Sequence, residues 1–281
     1  MTNSDLGGAI GANFAPMDIT EEDFRRVVTF IKGNYGIDLS QKRQLITGRL
    51  SPSVRQLGYS SFHDFFEHLL TQKDEKEIVL LLNKLTTNYT FFMREQDHLD
   101  YFRKVIIPDI VARHAKDKSL AIWSAGCSTG EEPYNISMYL LDYLGNRARE
   151  WDTRILATDL SHQALESAKR GVYQLPDTIP AEWRKKYFTP NADGSYTVTK
   201  QIRDNVIYRH FNLMDPIRFK RRFDVIFCRN VMIYFDQPTK DALVQRFYDA
   251  TVPGGYLLIS YSENLSPHTP YRRLATATFQ K

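Results

Sequence analysis

From residue 120 onward, short apolar runs alternate with longer stretches whose apolar residues recur at helical spacing. No other feature constrains the fold so strongly. Strand-like runs are expected at 120–124, 153–158, 206–211, 223–228, 256–260 and 276–280, and helical ones at 132–144, 162–170 and 238–250. Alternation of this kind predicts a mostly parallel sheet with helices on both faces, a Rossmann-like α/β architecture. The rhythm breaks over 171–205. A short helix at 180–187, a turn at Asn191-Ala192-Asp193-Gly194 and a strand-like run at 195–199 predict an inserted β subdomain there.

The region before it reads as helical. Thr20-Glu21-Glu22-Asp23 resembles a capping box, and Phe24, Val27, Val28, Ile31 and Tyr35 follow at helical spacing up to Gly33 and Gly36. Ser40 is placed to cap a second helix, and Ser60-Ser61 precede a third with Phe62, Phe65, Phe66, Leu69 and Leu70 on one face. A fourth is expected from about Lys73 to Leu85. At about 150 residues per domain, a chain of 281 residues has room for roughly two domains. The expected layout is a tail over 1–17, an all-α N-terminal domain over 18–86 and an α/β domain over 87–281.

Charge and cysteine content narrow the function classes. Lys+Arg is 37 against Asp+Glu 33, so the net charge of +4 gives no ground for a nucleic-acid binder. Two cysteines, Cys127 and Cys228, are too few for a disulfide framework or a cysteine-built zinc site, and no metal is expected. The densest apolar run, Ile78-Val79-Leu80-Leu81-Leu82, falls far short of the roughly 18 residues that span a bilayer. The first residues lack a cationic start and an unbroken apolar run. A cytoplasmic protein without membrane insertion is expected.

The segment Ile122-Trp123-Ser124-Ala125-Gly126-Cys127-Ser128-Thr129-Gly130-Glu131-Glu132-Pro133 carries the most chemical information. A strand ends, a small-residue loop follows and a helix begins, at the sheet edge where open α/β folds bind ligands. A dinucleotide site keeps the helix N-terminus free for pyrophosphate. Here G-x-G-x-x-G is absent and two glutamates occupy that end, which suits a cationic ligand without phosphate. S-adenosylmethionine, with its sulfonium, ammonium and adenosine, has that chemistry. The alternative is that both glutamates only stabilise the helix start. Asp159, at the end of the second strand, is placed to accept ribose hydroxyls or to cap the next helix. Asn212, with Leu213, follows the third strand at the same edge, as an adenine contact or a turn residue. Gly126-Cys127-Ser128-Thr129-Gly130 also satisfies the hydrolase motif G-x-S-x-G, with His268 as a later histidine. That fold normally has several strands before its nucleophile, whereas here the preceding region is helical.

Five segments together resemble the CheR-type chemoreceptor glutamate methyltransferases. They are Leu85-Thr86-Thr87-Asn88-Tyr89-Thr90, Phe91-Phe92-Met93-Arg94-Glu95, the 123–133 loop, Ala157-Thr158-Asp159 and Ile226-Phe227-Cys228-Arg229-Asn230-Val231-Met232-Ile233-Tyr234-Phe235. The resemblance runs in order over residues 20–280 and includes the helical N-terminal domain and the insertion. One departure is Met93, where the family pattern has phenylalanine. The resemblance implies methyl transfer from S-adenosylmethionine to receptor glutamates, forming γ-glutamyl methyl esters that tune adaptation. It implies cofactor contacts at Asn88, Thr90, Arg94, Glu132, Asp159, Asn212, Leu213, Arg229 and Asn230, with Arg94 and Tyr234 nearest the transferring methyl. The implied partner is the cytoplasmic domain of a methyl-accepting chemoreceptor, met by Lys42, Arg43, Arg49 and Arg55 of the helical domain. In some members the inserted hairpin grips a receptor pentapeptide tether. The Asn191–Gly194 connection is shorter here, so that contact stays open. Other readings are a methyltransferase of the same fold acting on RNA, with Arg218, Lys220, Arg221 and Arg222 as the start of a basic stripe, and a cofactor-sensing module without turnover.

Overall fold

The computed structural model describes residues 17–72, 74–86 and 89–281, without the side chains of Glu75 and Lys76. The chain divides into two compact units, residues 1–33 with 38–87 and residues 34–37 with 88–281.

The first unit is built from α1 (Glu21–Tyr35, whose last two residues belong to the second unit), α2 (Arg43–Gln56), α3 (Phe62–Gln72) and α4 (Glu75–Leu85). Thr20 Oγ1 accepts the Asp23 amide at 3.1 Å and donates to Asp23 Oδ2 at 2.7 Å, which closes the cap at the start of α1. Ser61 Oγ likewise accepts the Asp64 amide at the start of α3. Ser40 does not cap α2. Its amide is drawn to Asp38 Oδ1 and the Lys42 amide to the Leu39 carbonyl, so the chain turns first and the helix begins at Arg43 without a side-chain cap. Ile31, Ile46, Phe66 and Leu69 are fully buried in this unit. Of the expected tail, residues 1–16 lie outside the described residues. Met17 belongs to the packed unit instead, buried, with its amide on Ser51 Oγ.

The second unit opens with helices that the sequence pattern did not reveal. α5 (Gln96–Tyr101) passes through a π turn at Phe102–Ile106 into α6 (Ile107–Arg113), with Pro108 immediately after the π turn. Then come β1 (Ile122–Ala125), α7 (Glu131–Leu144), β2 (Ile155–Asp159), α8 (His162–Arg170), β3 (Val172–Tyr173), α9 (Ala181–Tyr187), β4 (Phe188–Pro190), β5 (Tyr196–Val198) and α10 (Lys200–Asp204). β6 (Val206–His210), β7 (Phe223–Cys228), α11 (Gln237–Ala250), β8 (Thr251–Ile259), β9 (Arg272–Ala275) and β10 (Thr278–Gln280) complete it.

The main sheet has the order β6-β2-β1-β7-β8-β10-β9. Its first five strands are parallel, and β10 and β9 extend it antiparallel. The inserted strands form a separate antiparallel sheet, β3-β5-β4. The segment Pro253-Gly254-Gly255 lies within β8 as a bulge. Phe223 pairs with Thr251 but Val225 pairs with Tyr256. A Cβ on Gly255 would stand 2.6 Å from Thr251 Cγ2, so only glycine fits there.

Every residue of β1 and β7 is buried, as central parallel strands require. Trp123 is completely buried among the rings of Phe211, Phe219, Phe223 and Phe247 on one face. Its Nε1–H donates to Thr158 Oγ1 at 2.9 Å. Phe227 meets Phe102 edge-on across the other face. Among the described residues no helix is long and apolar enough to cross a membrane.

At the N-terminal edge of the sheet, His114 Nε2 lies 2.8 Å from Oδ1 of the buried Asp224 and Nδ1 lies 3.0 Å from Asp117. Burial opposes charge on this imidazole, but the hydrogen bonds and charges of Asp224 and Asp117 outweigh it and raise its pKa. A raised native pKa stabilises the fold fully below the free imidazole value of about 6.5, and this contribution is lost as pH climbs through the native value. The wild-type melting temperature is therefore expected to fall as pH rises above about 6.5 more steeply than that of His114→Asn. Equal slopes would remove His114 as the cause.

Candidate active site

Chain order in the sheet reverses between β1 and β7, which pair directly. A crevice at such a switch point, outside the strand carboxyl ends, is where open α/β sheets bind ligands. The connections leaving these two strands hold Glu132, Arg229, Asn230 and Tyr234 of the residues singled out from the sequence.

The β1–α7 loop is anchored on β2. The amides of Gly126 and Cys127 both donate to the Thr158 carbonyl, at 2.8 and 2.9 Å. Asp159 accepts the amides of Ser128 and Ser161, each at 2.8 Å, so the acid expected to meet a ribose also fastens the loop. Burial raises its pKa, and these amides pull the other way without cancelling the rise. Gly126 has φ +86°, and a Cβ there would lie 2.4 Å from Val231 Cγ2 on the β7 loop. Gly126→Ala is thus expected to destabilise the protein by about 1–2 kcal/mol from left-handed backbone strain alone, plus the cost of moving Val231. Adding Val231→Ala should recover the steric part only. Urea unfolding of the single and double variants measures both, and an unshifted Gly126→Ala midpoint would refute the fit.

Both glutamates at the start of α7 have partners. Glu131 is buried and accepts Thr129 Oγ1–H, and burial raises its pKa. Glu132 accepts Ser124 Oγ–H at 2.7 Å on one oxygen and Arg229 Nη1–H at 3.0 Å on the other. The Arg229 side chain is only 3% exposed. Its remaining bonds run from Nη2 to the Arg94 carbonyl at 2.5 Å and from Nη2 and Nε to Glu95 Oε2 at 3.2 and 3.4 Å. Glu95 also accepts Ser260 Oγ–H at 2.8 Å, and His98 Nδ1 lies 3.2 Å from it. Burial opposes the Glu95 charge, yet His98, Arg229 and Ser260 overcome it and bring its pKa down to about 2. Asn230 Nδ2–H donates to the same Ser260 hydroxyl at 2.7 Å.

Glu263, buried, accepts the amides of Ser260 and Ile233 and so braces the β7 loop from below. Four non-glycine residues of these loops, Met93, Glu95, Ser128 and Asn230, have φ between 50° and 64°. Such conformations cost about 1–3 kcal/mol each and persist where surrounding bonds hold them, commonly at functional sites.

The other expected residues are spread along the same edge. Arg94 is half-buried, with Nη1–H on the Tyr89 carbonyl at 2.7 Å and its guanidinium 5.9 Å from the Phe91 ring centre. Thr90 is half-buried just before it, and Tyr234 is half-buried at the end of a 3₁₀ turn, Met232–Tyr234. Asn212 uses its side chain on the chain itself, donating to the Asn34 carbonyl and accepting the Met214 amide. Leu213 is buried, and its carbonyl accepts Arg246 Nη2–H. Asn88 lies outside the described residues. Arg94, Glu132, Arg229 and Asn230 therefore share one bonded network, while Asp159 belongs to the loop beside it. Glu95, Ser260 and Glu263 are the members that sequence reasoning missed, although Glu95 stands in the quoted Phe91–Glu95 motif.

The donor set fits S-adenosylmethionine. Two carboxylates, Glu95 and Glu132, share one guanidinium, and Asp159 adds a third acid at the edge. The surplus is negative, as a sulfonium and an ammonium require, and opposite to a phosphate site. Among the described residues no group of three or more His, Cys, Asp or Glu is placed to hold a metal ion.

A sheet with a parallel core, its site at the switch point and acids where a dinucleotide binder keeps free amides fits an S-adenosylmethionine-dependent methyltransferase. The family model described as CheR methyltransferase, all-alpha domain, matches residues 22–86, and that described as CheR methyltransferase, SAM binding domain, matches residues 88–280. The chain belongs to the CheR methyltransferase family. It is 34% identical to the chemotaxis protein methyltransferase of Borreliella burgdorferi, over 94% of this chain and 96% of that one. It is 37% identical to chemotaxis protein methyltransferase 2 of Pseudomonas aeruginosa, over 87% of each. Among solved structures, the glycopeptide N-methyltransferase MtfA complexed with sinefungin matches at 15% identity and a TM-score of 0.32, over 55% of this chain and 48% of that one.

Proposed function

We propose that this protein methylates glutamate side chains in the cytoplasmic domain of methyl-accepting chemoreceptors, forming γ-glutamyl methyl esters. The setting of Arg94 carries this reading. Its guanidinium is held at the rim by the Tyr89 carbonyl and Phe91, and its own carbonyl is bound by Arg229 in the acidic network. A cation is thereby presented beside a site built for a positively charged cofactor, which suits an anionic methyl acceptor.

S-adenosylmethionine supplies a methyl group made electrophilic by its sulfonium. In this proposal Glu132 and Asp159 meet its ammonium and ribose, Asn212 and Leu213 lie along its adenine, and Asn88, Thr90, Arg94, Arg229 and Asn230 complete its surroundings. A glutamate with pKa near 4.3 is already ionised at neutral pH, so no general base is needed. A carboxylate oxygen forms the new C–O bond as the C–S bond breaks, and no proton moves. The chain's contribution is alignment and exclusion of water. Arg94 holds the acceptor carboxylate by a charge-assisted hydrogen bond, and Tyr234 hydrogen-bonds near the sulfonium or the acceptor. The exposed cations Lys42 and Arg49 of the helical unit, with Arg43 and Arg55 beside them, face an acidic receptor helix.

The test is a methyl-transfer assay with methyl-labelled S-adenosylmethionine and membranes bearing chemoreceptors, followed by alkali. Volatile labelled methanol is the expected product, because alkali hydrolyses a carboxyl methyl ester. Label that survives alkali would overturn the glutamate reading.

A further inference from the structure

The β7 loop and the segment carrying Arg94 are joined by the bond from Arg229 to the Arg94 carbonyl and by the side chain of Glu95. Glu95 has φ 54°, which turns its carboxylate inward. One oxygen receives Arg229, and the other receives the Ser260 hydroxyl, which in turn is bound by Asn230. His98, 2% exposed, stands behind it. Its Nε2–H donates to the Thr276 carbonyl, while Nδ1 faces Glu95. Arg229 then reaches onward to Glu132 and to the Arg94 carbonyl. A desolvated guanidinium needs compensating acceptors at every N–H, and Glu95 supplies two of the four contacts that meet this need. Without them Arg229 would be left to Glu132 alone as its anionic partner, and the Glu132 carboxylate would be drawn toward it and away from a cationic ligand.

We propose that Glu95 is a positioning residue, which holds Arg229 and Ser260 so that Glu132 and the Arg94 segment keep the geometry that receives the cofactor. The inference rests on the reading of this edge as the S-adenosylmethionine site. It does not depend on which acceptor is methylated. Glu95 acts through Arg229, so its effect should be coupled to Arg229 and not simply added to it.

The experiment uses the full chain and S-adenosylhomocysteine as probe, so no methyl acceptor is involved. Calorimetric dissociation constants are measured for wild type, Glu95→Gln, Arg229→Lys and the double variant, with thermal melting of each without ligand. Glu95→Gln keeps the shape and removes the charge. It is expected to weaken binding by about tenfold while the protein still melts cooperatively. In the Arg229→Lys background the same change should have less than about a third of that effect. Glu95→Asp, which restores the charge, should recover part of the affinity. Glu95→Gln binding within twofold of wild type would overturn the proposal. So would a fully additive cycle, or a loss explained by the unfolded fraction. Coupled binding losses together with alkali-stable methyl label would keep the positioning role and discard only the glutamate acceptor.

Discussion

Replacing Arg94 by alanine is expected to lower kcat/KM for the methyl acceptor by about 10²-fold or more, because misplacing an acceptor by about an ångström costs that much. Affinity for S-adenosylhomocysteine should fall far less, since the Arg94 carbonyl, not its side chain, is what Arg229 binds. Arg94→Lys keeps the charge but loses the planar fork and the stacking over Phe91, so it should fall between the two. Alkali-released methanol, measured against receptor concentration, gives the comparison. An alanine variant that retains most of its acceptor kcat/KM would move the acceptor site elsewhere.

The largest expected effect on stability is that of Trp123→Ala, at about 3–5 kcal/mol. Four phenylalanine rings surround this indole, and Phe223 and Phe247 cannot move into the space it leaves without shifting β7 or α11. Trp123→Phe fills most of that volume but strands the Thr158 hydroxyl, for about 1–2 kcal/mol. Thr158 also receives the Gly126 and Cys127 amides through its carbonyl. The phenylalanine variant should therefore weaken cofactor binding in addition to lowering the urea midpoint. An alanine variant that costs less than about 1 kcal/mol would contradict the packing described.

The parallel core of the sheet was legible because β1 and β7 are buried on both faces and read as short, mostly apolar runs, broken only by Ser124 and Asp224. The 123–133 loop was legible because its chemistry is local. Small residues, a helix start and two acids follow each other in sequence, and each can be reasoned about in place. The function of Glu95 was not legible, because its partners Arg229 and Ser260 lie 134 and 165 residues away. No local pattern marks a side chain whose purpose is set by strands that pair later. The α5–α6 stretch escaped for another reason. Its π turn shifts the helical phase in mid-pattern, so the apolar spacing matches no single period. Ser40 misled because a serine caps only from the position just before a helix, and the turn that joins the Lys42 amide to the Leu39 carbonyl delays the helix to Arg43.

The direct pairing of β1 with β7 bears on how the protein fails. The two strands that launch the ligand loops share a ladder at the centre of the sheet, flanked by β2 and β8. Amides there should exchange with solvent only when the whole α/β unit opens, not by fraying from an edge. Loss of cofactor binding on heating should then coincide with loss of the fold, with no intact but ligand-blind intermediate. Titration with S-adenosylhomocysteine would serve as a count of native molecules.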